Sequence, residues 1–300
     1  MTIRSLLDAA ARGDREPTLS YELFPPRTSA AEDTLMLTMG LLAATKPDFM
    51  SITYGASGST RSTSRGVVHA LALAHTIPPL AHLTCVDQSR AELAAVIETY
   101  LADGVRDFLA LRGDPPVGQA DWRPHPDGLH YAMELVALLR EVAHANGVDD
   151  LSVGVTAFPA QHAMERWRQQ GLDVQKAKQD AGADFAITQV FYEVQQYRDL
   201  VADASAQGIS IPIVPEVMPL VSSLRAHRAA ELTGVPTPSE LVAALEAAEA
   251  DGVAGRSAGV AHAAKLSAQL IDAGAPGIHI ITFNRHEAAL ELVEAVGSAR

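Results

Sequence analysis

The sequence predicts an α/β protein built as a (β/α)8 TIM barrel, with extra helices between its seventh and eighth strands. Three observations predict it. Short apolar, β-branched runs alternate with longer Ala- and Leu-rich runs of 3.6-residue period. Eight such strands fit within 300 residues. The turn G-x-G-x-x-G, expected after the first strand of a doubly wound sheet, occurs nowhere.

The elements follow in order. "MTIRSLLDAAARGDRE", residues 1–16, reads as an amphipathic N-terminal helix running into a polar linker. Strands are expected at 18–24 (TLSYELF), 48–54 (DFMSITY), 80–85 (LAHLTC), 106–111 (RDFLAL) and 151–157 (LSVGVTA). Three more are expected at 184–190 (DFAITQV), 211–217 (IPIVPEV) and 277–283 (GIHIITF). Helical periodicity is clearest over 89–103, 129–146 and 194–206. Ser89 is placed to cap the first of these, and Gly104 to stop it. "DAGAD" at 180–184 and "DAGAPG" at 272–277 repeat a helix stop before a strand. The stretch 234–275 is long for one crossover and reads as two helices. With no low-complexity linker, one domain over 1–300 is expected.

Composition narrows the function. The chain is 48% hydrophobic, ample for a packed core. Its net charge of -13 has the wrong sign for sequence-independent nucleic-acid binding. Cys85 is the single cysteine, which rules out an intrachain disulfide and a Cys-rich metal site, and fits a reducing compartment. No run of eighteen apolar residues predicts a membrane span, and the N-terminus does not read as a secretory leader. A cytoplasmic protein without membrane attachment is expected, and its oligomeric state, monomer or homo-oligomer, is open. Lys46, Lys176, Lys178 and Lys265 are the only lysines, and none is predicted on an inner strand. A Schiff-base aldolase is therefore disfavoured.

A barrel gathers its catalytic groups at the C-terminal ends of its strands. Every predicted strand delivers a polar group there. Glu22 closes strand one, Thr53 and Tyr54 strand two, and His82 and Thr84 lie on strand three. Strand four runs into Arg112 and Asp114, and strand five into Phe158 and His162. Thr188 and Gln189, Glu216, and Asn284 with Arg285 end the remaining three. Glu22 carries the most information: a carboxylate in "SYELFPP" is costly unless it is paired or chemically employed. From the residue alone, a structural ion pair and a catalytic acid are both open. Histidine spacings of the H-x-H or H-E-x-x-H type are absent, so no metal is expected.

The stretches "YELFPPRT", "SITYGASGSTR", "AHLTC", "ALRGDPP", "DAGADFAITQVFY" and "TFNR", with the loop "DWRPHPDGLHYAMELV", resemble methylenetetrahydrofolate reductase in order and spacing. The resemblance runs from about residue 17 to 296 and looks like the short bacterial, FAD-dependent form. It implies a barrel that binds FAD without a Rossmann fingerprint. It implies reduction of 5,10-methylenetetrahydrofolate to 5-methyltetrahydrofolate by NADH or NADPH, in a ping-pong sequence through the flavin. Glu22 then corresponds to the general acid that opens the five-membered folate ring, and Asp114 to the anion that tunes the flavin and stabilises the iminium. Gln189, Phe191 and Arg285 correspond to folate-binding positions. Thr53, Tyr54, His82, Thr84, Arg112, Gly113, Asp114, Phe158, His162 and Lys178 correspond to flavin-binding positions.

The chain also departs from the pattern. Strand seven, which usually ends in proline-glycine, ends in Pro215–Glu216. The usual "EGHP" after strand five reads "AQHA" at 160–163. An acid expected before Lys178 is missing or shifted to Asp173. Arg225 and Ala229 stand where a glutamine and an aromatic are usual. These changes bear on the electron donor, so a barrel of the same family with another donor, or without turnover, is the alternative.

Overall fold

The computed structural model describes residues 2–54, 61–74, 77–115, 121–251 and 255–297. The "GASGST" part of the strand-two loop, residues 55–60, and residues 116–120, from the second proline of "RGDPP" onward, lie outside the described residues. Nine strands alternate with twelve helices among the described residues. The strands are β1 (Thr18–Leu23), β2 (Phe49–Ile52), β3 (Pro79–Thr84), β4 (Asp107–Leu111), β5 (Ser152–Ala157), β6 (Phe185–Thr188), β7 (Ile213–Val214), β8 (Glu216–Val217) and β9 (Gly277–Ile281). The helices are α1 (Ile3–Ala11), α2 (Ser29–Ala43), α3 (Arg61–Ala74), α4 (Arg90–Ala102), α5 (Ala132–Ala145), α6 (Pro159–His162), α7 (Glu165–Asp180), α8 (Val194–Ala206), α9 (Ser223–Thr233), α10 (Ser239–Ala250), α11 (Arg256–Asp272) and α12 (His286–Gly297). None is long and apolar enough to cross a membrane.

All pairings are parallel, in the order β7-β6-β5-β4-β3-β2-β1-β9-β8. The expected seventh strand, 211–217, is split at Pro215, which has no N–H to give to a ladder. Its first half, β7, pairs with β6 and its second half, β8, pairs with β9. One stave thus closes the barrel from both sides. The expected strands run one or two residues past the ladders at positions such as Thr53, Gln189 and Phe283. Those residues begin the loops of the C-terminal mouth. The long stretch after β8 holds α10 and α11, as expected, following α9.

Local signals act where the sequence placed them. Ser89 accepts from the Glu92 N–H, and Glu92 reaches back to the Ser89 N–H, forming a capping box on α4. Gly104 follows with φ +84°, a conformation glycine adopts without strain.

The barrel interior is layered. Phe49, Leu80, Leu109, Phe185, Ile187 and Val214 fill its lower half, and Ile3 and Leu7 of α1 pack against them. Helix α1 therefore plugs the N-terminal mouth. The Ile3 N–H donates to the Asp107 carboxylate at 2.8 Å, and Arg4 pairs with Asp184 at 3.1 Å. Of the expected N-terminal segment 1–16, the helix occupies Ile3–Ala11.

Candidate active site

Above the apolar layers the interior becomes polar. Strand alternation turns Ser20 and Glu22 of β1 to the same side, two residues apart. Their neighbours are set by register: Glu22 lies opposite Ser51 of β2, and Ser20 opposite His279 of β9. Glu216 of β8 also lies opposite His279. Around this ring stand His82 of β3 and Thr188 of β6, both buried. Thr188 fixes β8 by accepting the Glu216 N–H at 2.9 Å.

Glu22 is the electrostatic centre of the ring. Its Oε2 lies 4.0 Å from His82 Nε2 and 3.9 Å from His279 Nε2. Burial pushes its carboxyl up to about 7, because removal from water penalises the charged form. Burial pushes both imidazoles down to about 3, so they are neutral and offer Glu22 no positive charge. The His279 ring is fully engaged, Nδ1 with Ser20 Oγ at 2.8 Å and Nε2 with Ser51 Oγ at 3.1 Å. The Nε2 of His82 is buried without a hydrogen-bond partner. Glu216 is buried too, and its carboxyl is raised by burial and by the Glu22 charge. The structural ion pair left open for Glu22 is absent: among the described residues no lysine or arginine lies within 4.0 Å of it.

A cleft of about 230 Å³ opens past the end of β5. Phe158, His162, Trp167, Val174 and Lys178 line it. Lys178 donates to the Thr156 carbonyl at 2.7 Å, and its ammonium sits 5.6 Å from the Phe158 ring centroid. Burial lowers this lysine to about 8. His162 pairs through Nε2 with Asp203 at 3.1 Å, while its buried Nδ1 has no partner.

On the β4 side, Gly113 holds φ +79°, and a Cβ there would stand 2.5 Å from Val86 Cγ2 and 2.9 Å from Thr84 Cβ. Glycine is thus required where the loop bearing Arg112 and Asp114 turns. These two side chains are 3.8 Å apart and project into solvent. Thr84 is buried with an unpartnered hydroxyl. Tyr54 donates to the Gln88 side chain at 3.3 Å, and the Thr53 carbonyl accepts from Ser64 at 3.0 Å. The Gln189 side chain folds back onto the Val190 N–H at 3.0 Å. Arg285 is exposed at the turn after β9. Phe191, expected at a folate-binding position, lies in the core, stacked on Tyr197 at 6.2 Å.

The fold thus brings Glu22, His82 and Thr84 together, with Arg112, Asp114, Phe158, His162 and Lys178 around the same mouth. It adds residues that pattern reading did not assign. His279 and Ser20 become partners only through the β1–β9 register. Phe24 and Phe283 stack at 5.4 Å on the rim, and the Arg225 guanidinium lies 5.7 Å from the Phe283 centroid. Asn284 fastens that rim, accepting from the Phe24 N–H at 2.9 Å and donating to its carbonyl at 2.8 Å.

A closed parallel barrel with a largely buried acid at its C-terminal mouth defines a TIM-barrel protein. Solved structures share the fold. A protein from Clostridium thermocellum, described as binding two copies of 5-methyl-5,6,7,8-tetrahydrofolic acid, superposes with a TM-score of 0.64 at 16% identity, over 98% of this chain and 97% of that one. A 2,3-dimethylmalate lyase gives 0.55 at 13% identity, over 99% and 84%. Sequence is more specific. The family model for methylenetetrahydrofolate reductase matches residues 6–297. The 5,10-methylenetetrahydrofolate reductase of Salmonella typhimurium is 33% identical over 93% of this chain and 90% of its own length. The Escherichia coli protein of that name is 32% identical over the same shares. The chain belongs to the methylenetetrahydrofolate reductase family of oxidoreductases.

Proposed function

We propose that this protein reduces 5,10-methylenetetrahydrofolate to 5-methyltetrahydrofolate with electrons from NADH or NADPH, and that FAD is its cofactor. One observation carries the reading beyond family membership. Glu22 is a carboxyl raised to about 7 at the barrel mouth, without a cation to hold it ionised. That is the protonation state a general acid needs at neutral pH.

The residues present fit FAD. The cleft past β5 has aromatic and basic walls, and two buried polar atoms at the mouth, His162 Nδ1 and Thr84 Oγ1, lack partners. Unpartnered buried groups cost about 1–3 kcal/mol each, which a ligand's polar atoms can offset. Phe158 offers a ring face to the cofactor, and Lys178 and Arg112 offer charge to its phosphates. When bound, FAD supplies the hydride relay between nicotinamide and folate.

Glu22 supplies the proton. Its O–H is directed to N10 of the folate, the C–N10 bond breaks, and the remaining iminium is ready for hydride at its methylene carbon. Asp114 places a negative charge near that cation. Gln189 offers an amide to the pterin edge, once its side chain leaves the Val190 N–H. Arg285 is an exposed cation available to the folate's glutamyl carboxylate.

A second reading keeps the folate chemistry and changes the electron donor. Helix α9 favours it: Ala229 is buried and Arg225 covers Phe283, so α9 offers no aromatic ring at these positions for a nicotinamide. Rates with NADH and NADPH as alternatives decide between the readings, since failure of both donors excludes the first.

The deciding experiment for the first reading is Glu22→Gln in the FAD-loaded protein, with both half-reactions followed by stopped flow. Flavin reduction by NADH should stay within about tenfold of the parent, while reoxidation by methylenetetrahydrofolate falls roughly 10²-fold or more. An unchanged ratio of the two rates removes Glu22 from the chemistry.

A further inference from the structure

Glu216 has no part in the reading above, yet it is buried in the same ring. One oxygen of Glu22, one of Glu216 and a ring nitrogen of His279 all lie within 4.8 Å of one another. The groups facing the two acids come from every neighbouring stave. They are Ser20 on β1, Ser51 on β2, His82 on β3, Thr188 on β6 and His279 on β9. None is a cation, since burial holds both imidazoles neutral. Among the described residues neither carboxylate has a lysine or arginine within 4.0 Å.

Two carboxylates this close, one buried and the other only 12% exposed, with no cation beside them, resist ionising together, because desolvation and mutual repulsion add. We infer that Glu22 and Glu216 work as one carboxyl pair that retains a proton into mildly alkaline solution, so that Glu22 remains a proton donor where a lone carboxyl would be spent. The protons leave such a pair in two steps that belong to both groups. In the singly protonated pair the proton can occupy either carboxyl. With that proton on Glu22, its O–H breaks as N10–H forms, and the iminium cation left by C–N10 cleavage balances the second carboxylate charge. Solvent then returns one proton to the pair, and the count balances over a turnover.

Glu216 is therefore a positioning residue that acts through Glu22. It stands where the resemblance leads one to expect glycine, which makes the pair a property of this chain. Its catalytic consequence rests on the reading of Glu22 as general acid; the shared protonation does not.

The test is Glu216→Gln, with Glu216→Gly as a second variant in case the amide disturbs folding. Infrared titration of the protonated-carboxyl band, which needs no turnover, reads the pair directly. The parent protein should keep such a band at about pH 8, and both variants should lose most of it by then. Methylenetetrahydrofolate reduction by the holoenzyme reads the consequence. Its alkaline limb should move at least about one pH unit to lower pH in the variants, with rates near pH 6 within roughly threefold of the parent. A parent without the band at pH 8, or variants that retain it, would overturn the pair. A band that behaves as expected beside an unmoved pH profile would sink only the catalytic half, and retained activity in Glu22→Gln would trace that failure to the general-acid reading. Stoichiometric Zn²⁺ or Mn²⁺ binding at neutral pH that abolishes the band, and is lost in Glu216→Gln, would show a cation in place of the proton and overturn the inference.

Discussion

His82 Nε2 stands 4.0 Å from Glu22 Oε2 and has no hydrogen-bond partner of its own. An acid and an imidazole at this distance would ordinarily charge each other. Here desolvation outweighs an attraction that long: the imidazole stays neutral, and the carboxyl, only 12% exposed, is held up to about 7. Below about pH 7 the Glu22 carboxyl therefore carries its proton beside two neutral imidazoles.

This has a consequence for stability against pH. Glu22 is raised to about 7 in the fold, above its ordinary value of 4.5. Between those two values the unfolded chain loses its proton and the native one keeps it, so stability falls as pH rises through this window. The loss amounts to roughly 3 kcal/mol once both states are ionised. Glu22→Gln should thus be more stable than the parent at about pH 8, by up to that amount, and no more stable near pH 4. Urea unfolding at both pH values checks it; a Gln variant weaker at pH 8 would mean that Glu22 is ionised and paired.

Lys178 gives a binding prediction. Its ammonium is lowered to about 8 by burial, so it is largely charged at pH 7 and neutral well above 8. If it holds a phosphate of FAD, Lys178→Met should weaken FAD roughly 10- to 100-fold, the reach of one charged hydrogen bond. Affinity in the parent should decline as pH rises past 8. Flavin fluorescence titration across pH measures both effects, and a Met variant with parental affinity refutes the contact.

Gly113→Ala tests the β4 loop. The new methyl would meet Val86 Cγ2 at 2.5 Å, in a backbone conformation at φ +79° that alanine adopts only with strain. A cost of about 1–3 kcal/mol is expected. Because the strain falls on the loop carrying Arg112 and Asp114, FAD affinity should fall as well as the melting temperature. Loss of stability with FAD affinity intact would separate that loop from the cofactor.

Helix α1 should be part of the fold rather than an appendage. Leu7 is fully buried against the lower barrel layer. Leu7→Ala should cost about 2–5 kcal/mol, as truncation of a packed core leucine does. Thermal unfolding followed by circular dichroism would show it, and an unchanged melting temperature would mean that the plug is dispensable.

The eight staves, the order of elements and the acid at the end of β1 were legible in the sequence, because periodicity and helix-stop signals are local. So were the groups delivered to the C-terminal mouth, since strand ends set which face a residue reaches. The break of the seventh stave at Pro215 was written in the residue, but its effect, one stave paired to β6 below and β9 above, arises only when the barrel closes. The neighbours of Glu22 were not legible. Glu216 and His279 lie about two hundred residues or more along the chain from it, and no local pattern reports that two distant strands share a register. Tertiary structure also decided that Phe191, expected at a folate-binding position, lies in the core and packs on Tyr197. The sequence by itself determined which groups exist and toward which end of the barrel they point. Only closure of the barrel determined their spacing and burial, and for two carboxyls burial and spacing decide whether they carry charge or a proton.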